Sequence, residues 1–394
     1  MAKEHIVIVG GGFGGVRAAL LLADSNLFKV TLVTDHPDFR YYPSLYRTAT
    51  GGRRVASSIQ LEEIFDNKDV QIVEGSLTTL DRQAQTIGLA SKKIIKYDSL
   101  ILALGVQTNY FHIEGLPEFS YGIKTTDDAL KLKQHIHQQL IDEQKLDLNY
   151  IVIGGGPTGI ELAGELPSYL RRVAKNHAIK RPGIHIDLVE AAPRLLPRIP
   201  KDISKMVARH LRKLGVKLYL NTTVKGETHD ELMLEGKKLA SHTVVWTAGV
   251  ANQPFFAENV FQMSKTGKVR VNQFLEAEPN IYVIGDNADT PYSGMAQTAI
   301  YDGLFVANNL IRKLNDTDLK TYSAKRPIYV IPAGPKWSAV LWGKFRMYGR
   351  FGAWLRSLAD LTAYHDYEPW QLATKRWMTA DDNEESCIIC SQAQ

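Results

Sequence analysis

Two stretches of this chain repeat one pattern, an apolar strand running into Gly-x-Gly-x-x-Gly. The first is Ile6-Val-Ile-Val-Gly-Gly-Gly-Phe-Gly-Gly15 and the second is Ile151-Val-Ile-Gly-Gly-Gly-Pro-Thr-Gly159. The spaced glycines are Gly10, Gly12 and Gly15, then Gly154, Gly156 and Gly159. Glycine lets a strand reverse tightly into a helix and lets backbone come close to a pyrophosphate. The helix that follows turns free N–H groups and its positive end toward that phosphate. Phe13, Gly14 and Thr158 stand in the same two turns and are counted with the nucleotide-binding residues. One such turn is shared by many proteins. Two in a chain of 394 residues imply that two dinucleotides are held at once, as in an electron-transfer flavoprotein.

Composition sets the remaining bounds. The length allows two or three domains with buried cores. Apolar content of 44% and charged content of 23% are those of a globular protein. A net charge of +5 is mild, and no nucleic-acid partner is read from it. No run of about 18 apolar residues occurs, so no helix is expected to span a bilayer. The chain enters a strand directly after Met-Ala-Lys-Glu-His, so no export signal is read. The two cysteines, Cys387 and Cys390, both lie near the end, which excludes a disulfide-stapled scaffold. Neither a histidine nor a second cysteine pair accompanies them, so no metal site is expected.

Alternation of strands and helices predicts an α/β fold with parallel, doubly wound sheets. The first unit reads as strand 5–10, helix 13–24 and strand 29–34. Short strands follow over 70–100, and a buried strand runs through Ala103 to Gly105. A helical connector is expected over 127–147. The second unit reads as strand 150–154, helix 157–174 and strand 184–190. An apolar strand, Thr243-Val-Val-Trp-Thr-Ala-Gly249, closes it and carries Ala248 and Gly249. Ile281-Tyr-Val-Ile-Gly-Asp286 reads as a return to the first unit. The expected domains are therefore 1–115 with 265–320, then 116–264, then a C-terminal segment 321–378 and a tail 379–394.

This order of motifs resembles the type II NADH:quinone oxidoreductases, single-chain flavoproteins with two dinucleotide-binding domains. The resemblance covers roughly residues 4–365. It implies two Rossmann-like domains, FAD at the first glycine motif, NADH at the second, and a C-terminal amphipathic helical segment. Leu100–Gly105 and Val244–Val250 resemble the family's two strand–glycine crossovers, and Ile281–Asp286, with Gly285, its second FAD fingerprint. Ala296-Gln-Thr-Ala-Ile300 resembles the Ala-Gln-x-Ala segment at the flavin and quinone pocket.

Several residues then acquire expected roles. Asp286 suits the ribityl hydroxyls of FAD, the alternative being a helix cap. Glu190 ends a strand where an acid binds the adenosine ribose and repels a 2′-phosphate, which favours NADH over NADPH. In the first unit Thr34 stands where the family has an acid, and Asp35 one place later is assigned the role at the strand's end. The resemblance places Glu161 toward the nicotinamide and flavin, and burial there should raise its pKa for proton transfer. Gln297 resembles the flavin and quinone contact. Tyr301 replaces a second glutamine of the family, and a phenol can also donate to a quinone oxygen. Tyr42 and Pro43 fall where the family brings a loop over the flavin ring, although a Tyr-Tyr-Pro turn can equally serve packing. No cysteine stands near either glycine motif, which disfavours disulfide-reductase chemistry.

Residues 325–378 hold nine Lys or Arg against three acids. Within them Phe345, Tyr348, Phe351, Leu355, Leu358 and Leu361 recur at helical spacing, so one amphipathic helix is expected through 345–361. Basic residues with Trp354, Trp370 and Trp377 suit an anionic membrane surface, with core packing or a homodimer as the alternative. The resulting expectation is a peripheral, cytoplasm-facing NADH dehydrogenase of the respiratory chain, delivering electrons to ubiquinone or menaquinone without pumping protons. Its rivals are a soluble NAD(P)H reductase for another acceptor and a slow-turnover redox-responsive binding protein.

Overall fold

A computed structural model describes residues 3–143, 149–179 and 183–380. Its first core is a six-stranded sheet centred on Glu4–Val9. Phe28–Thr34 and then Val70–Glu74 lie parallel on one side, and Ser99–Leu102 and then Ile281–Val283 on the other. Glu276–Glu278 closes that edge antiparallel. Ile6, Val7 and Ile8 are fully buried, because both faces of this sheet are covered. That is why the strand is an unbroken apolar run rather than an alternation.

The helix Phe13–Asp24 crosses the helix Ala296–Leu314 on one face of this sheet. The approach is close. A methyl on Gly303 would lie 2.2 Å from the Gly14 carbonyl oxygen, and one on Gly14 would lie 2.8 Å from that of Ala299. Gly14, expected at the nucleotide, is thus a residue of the helix crossing. On the opposite face Phe255, Phe256 and Phe261 already pack with Val7 and Leu100, so the chain rejoins the first core ahead of residue 265.

The second core is a parallel four-stranded sheet in the order Val216–Leu220, His185–Glu190, Asn149–Ile153, Thr243–Trp246. The helix Pro157–Asn176 packs on it. Chain passes between the cores as an antiparallel pair, Val106–Thr108 against Val250–Asn252. Asn287 ties this junction. Its Nδ2 donates to Gly105 O and to Asn252 Oδ1, both at 2.6 Å, and its Oδ1 accepts the Gly105 N–H at 3.0 Å.

The single helix expected through 345–361 is corrected. Ser338–Trp342 and Phe345–Gly349 form a hairpin, and helices Arg350–His365 and Trp370–Thr379 follow. Phe345 and Tyr348 therefore sit on a strand. The turn at Gly343 (φ 59°) and the break at Gly349 (φ 80°) need left-handed backbone that a helix interior does not contain. The hairpin side packs on the second core through Ile331, Ala339 and Leu341, and the helices pack on the first through Tyr364, Tyr367 and Ala373. No described helix is long and apolar enough to cross a membrane. Cys387, Cys390 and the end of the expected 127–147 connector lie outside the described residues.

Candidate active site

The two glycine turns have one geometry. Gly10 and Gly154 take φ of 119° and 114°. A methyl on Gly15 would lie 2.0 Å from the Gly10 carbonyl oxygen, and one on Gly159 would lie 1.9 Å from that of Gly154. These outer glycines seat helix on strand. The middle glycines differ: nothing lies within 4 Å of a methyl on Gly12 or Gly156. Each turn is thus an open cradle at a helix N-terminus, the shape and polarity a pyrophosphate requires. The crossovers stand beside them. A methyl on Gly10 would meet Ala103 O at 2.1 Å, and one on Gly154 would meet Ala248 N at 3.0 Å. Gly105 and Gly249 follow with φ of 66° and 105°. Thr158 is exposed at the start of the second glycine helix. The Phe13 ring, by contrast, is buried among Phe39, Tyr41, Tyr42 and Tyr367. Its side chain packs the 39–42 loop rather than the cradle.

The strand-end residues are not alike. Glu190 accepts the Gly155 N–H at 2.5 Å and the Ala192 N–H at 2.7 Å. Arg194 donates to the carbonyls of Leu196, Pro197 and Ile199, so it braces its own loop. Gly10 N–H meets Val33 O just as Gly154 N–H meets Val189 O, both at 2.8 Å. That register gives Thr34, not Asp35, the place matching Glu190. A methyl on Gly11 would touch Thr34 Oγ1 at 2.7 Å, where one on Gly155 touches Glu190 Oε2 at 2.8 Å. Asp35 lies past the strand, exposed, with its carboxylate 3.1 Å from His36 Nε2. The strand's end does not adjust to bring Asp35 inward.

Asp286 is half-buried in the turn Gly285–Asn287, where Gly285 has φ of 67°. Beneath the turn lies Asp302, fully buried, accepting the Gly285 N–H at 3.1 Å and the Tyr322 O–H at 2.6 Å. Burial pushes its carboxyl up to about 6. Sequence reasoning missed Asp302. Its signal was an acid four residues after Thr298 on the inward face of an apolar helix. Gln297, expected to face flavin and quinone, spends its amide on one backbone unit: Nε2 donates to Ile328 O and Oε1 accepts Ile328 N–H, both at 3.0 Å. Ala296 begins this helix, half-buried. Tyr301 carries Lys325 Nζ 4.4 Å above its ring and has the Tyr322 ring 5.7 Å away.

Glu161 sits in the second glycine helix and is buried, at 8% exposure. It faces a charged cluster brought by the helix Arg350–His365. Arg356 Nε lies 3.1 Å from Asp360 Oδ2, and its Nη1 lies 3.9 Å from Glu161 Oε1. Arg356 Nη2 donates to Pro43 O at 2.9 Å. Asp360 also accepts the Tyr41 O–H at 2.7 Å and has Arg47 at 3.4 Å. One guanidinium thus joins the second glycine helix, the 41–43 loop and the C-terminal helix. Burial raises the Glu161 carboxyl to about 7, Arg356 opposing and Asp360 reinforcing the shift. Tyr42, next in the loop, is exposed.

The helix Arg350–His365 turns charged side chains inward. Its inward face holds Gly352, Arg356, Asp360 and Tyr364. Phe351 and Trp354 are exposed, as are Trp342 and Phe345 on the hairpin and Trp370 and Met378 on the last helix.

Residues 4–303 match the pyridine nucleotide-disulphide oxidoreductase family. The chain is 31% identical over 341 residues to the type II NADH:quinone oxidoreductase NdhA of Mycobacterium tuberculosis, covering 79% of this chain and 72% of that one. It is 25% identical over 399 residues to the type II NADH:quinone oxidoreductase of Staphylococcus epidermidis, covering 95% and 98%. In fold it is similar to NDH2 of Plasmodium falciparum solved in complex with NADH, with a TM-score of 0.87 at 18% identity over 96% and 97% of the chains. The sulfide:quinone oxidoreductase of Aquifex aeolicus follows with a TM-score of 0.77, also at 18% identity, over 94% and 92%.

Proposed function

The chain belongs to the type II NADH:quinone oxidoreductases, within the pyridine nucleotide-disulphide oxidoreductase family, and we propose that it oxidises NADH and reduces a membrane quinone by way of bound FAD. The observation that carries this reading is the duplicated open cradle at Gly12 and Gly156. Bound FAD supplies a carrier that accepts hydride and returns two electrons.

The chain's own residues bind, orient and protonate. The Gly10–Gly15 turn and the helix after it would hold the FAD pyrophosphate, and Asp286 would accept from the ribityl hydroxyls. Asp302 acts through Gly285, fixing the turn that aims Asp286. Ala103 and Gly105 would face the flavin, and Ala248 and Gly249 the nicotinamide. The Gly154–Gly159 turn holds the NADH pyrophosphate, with Thr158 at its rim and Glu190 on the adenosine ribose. Arg356 braces Pro43, so the 41–43 loop is held against the flavin side. The Glu161 carboxyl holds a proton near neutral pH for the quinone. Gln297 holds the Ile328 backbone, just ahead of the strand Tyr329–Pro332, and Tyr301 would donate to a quinone oxygen from the same helix.

The exposed aromatics on a basic segment support docking on an anionic membrane, on the cytoplasmic side where NADH is found. Purified protein with anionic vesicles containing quinone should sediment with them and consume NADH only when quinone is present. NADH oxidation indifferent to quinone would contradict the reading. Self-association without vesicle binding would assign the aromatic face to a homodimer instead.

A further inference from the structure

Two turns at the edge of the NADH core are tied together away from the glycine cradle. The first, over 228–230, joins Val224–Glu227 to Glu231–Leu234. The second, over 241–242, joins Lys237–Ala240 to Thr243–Trp246. Ser241 N–H donates to Asp230 O at 3.0 Å, Ser241 Oγ donates to Asn149 O at 2.6 Å, and Thr243 N–H donates to Ser241 Oγ at 3.0 Å. On this frame three side chains converge. His229 Nδ1 lies 2.7 Å and His242 Nδ1 3.4 Å from Asp230 Oδ1, and the three donor atoms lie within 4.8 Å of one another.

We propose that His229, Asp230 and His242 form a binding site for a zinc-class divalent cation. Two imidazole nitrogens and one carboxylate oxygen are a donor set for Zn2+, Co2+, Ni2+ or Cu2+, whereas Mg2+ and Ca2+ prefer oxygen alone. Tetrahedral bonds of about 2.0–2.2 Å put neighbouring donors about 3.3–3.6 Å apart. The His242–Asp230 separation of 3.4 Å falls within that range, the His229–Asp230 separation of 2.7 Å lies just short of it, and all three side chains are exposed. Solvent supplies the remaining coordination position. Without the ion, the carboxylate lies between the two imidazoles, an arrangement that holds the donors near the positions the ion needs.

The site's place in the chain says what an ion there does. It clamps the turn of the small 224–240 sheet to the start of the strand Thr243–Trp246, which leads into Ala248 and Gly249. The role is structural, on the core that binds NADH, and no electron passes through it.

The test uses full-length flavoprotein in a Cys387→Ser/Cys390→Ser background, so that tail thiols bind no metal. Calorimetric titration with Zn2+ should show one equivalent per chain. That equivalent should vanish on adding His229→Ala/His242→Ala and weaken in Asp230→Asn, with flavin content unchanged in each. With Cu2+, the spin-resonance spectrum should carry nitrogen coupling that the histidine variant lacks. Equal uptake with and without the histidines, or no uptake by the background protein, overturns the proposal.

Discussion

Arg356 Nη1 stands 3.9 Å from Glu161 Oε1, while the same guanidinium lies 3.1 Å from Asp360 Oδ2. The cation therefore belongs mainly to Asp360. Glu161 is left buried with weak compensation, and that imbalance leaves its carboxyl at about 7.

The first prediction concerns pH. Below about pH 7 Glu161 holds its proton, and above it the proton is lost. Quinone reduction should therefore decline as pH rises through about 7. Glu161→Gln should slow it by about 10²-fold and flatten that limb, while flavin reduction by NADH stays near its original rate. Stability follows the same group. Between 4.5, its value when unfolded, and about 7, the folded protein keeps a proton that the unfolded chain releases. Unfolding free energy should fall as pH rises through that window, and the Gln variant should show a shallower fall, with Asp302 supplying part of what remains. A pH-independent quinone step in the unmodified protein would contradict the assignment.

Arg356→Met strands Asp360 inside the protein. Breaking a buried pair from one side costs about 3–5 kcal/mol. Denaturant unfolding should show a loss of that size, and Asp360→Asn added to the same chain should recover part of it. A surface-like effect near zero would mean that the guanidinium is not buried as described.

Two neighbouring glycines should behave oppositely. Gly14→Ala meets Ala299 O at 2.8 Å, so it should separate the two crossing helices and cost about 1–3 kcal/mol. Gly12→Ala meets no protein atom within 4 Å. It should leave the melting temperature of the flavin-free protein unchanged and lower flavin content. Flavin loss from Gly14→Ala without destabilisation would reverse the two roles.

Glu190→Gln removes a charge that accepts two backbone N–H groups of the turn and that we propose meets the ribose hydroxyls. The KM for NADH should rise by about tenfold, the equivalent of one charged hydrogen bond. The preference for NADH over NADPH should narrow, as steady-state rates with each will show.

The glycine motifs were legible because their requirement is local: one turn, one helix end, one spacing. The strands around them were legible as unbroken apolar runs buried on both faces. What escaped depends on distant partners. Asp302 looks like an ordinary helix acid until Gly285 is placed over it. Gln297 reads as a ligand contact until Ile328 takes both ends of its amide. Phe345 and Tyr348 keep a helical spacing, yet a three-residue separation does not distinguish helix from hairpin, and Gly343 and Gly349 decide the matter through backbone that only glycine adopts readily. Arg356 and Asp360 did carry a signal. With Gly352 and Tyr364 they repeat every four residues, tracing a polar inward face opposite the aromatic one.

The central claim is that the paired cradles bring NADH and FAD together so that electrons reach quinone through the flavin. Rapid mixing of the purified flavoprotein with NADH, followed by a short-chain quinone, tests it directly. The visible absorbance of the bound flavin should bleach on the first addition and return on the second, within the time of one turnover. Flavin that NADH leaves coloured, or that stays bleached when quinone arrives, would contradict it.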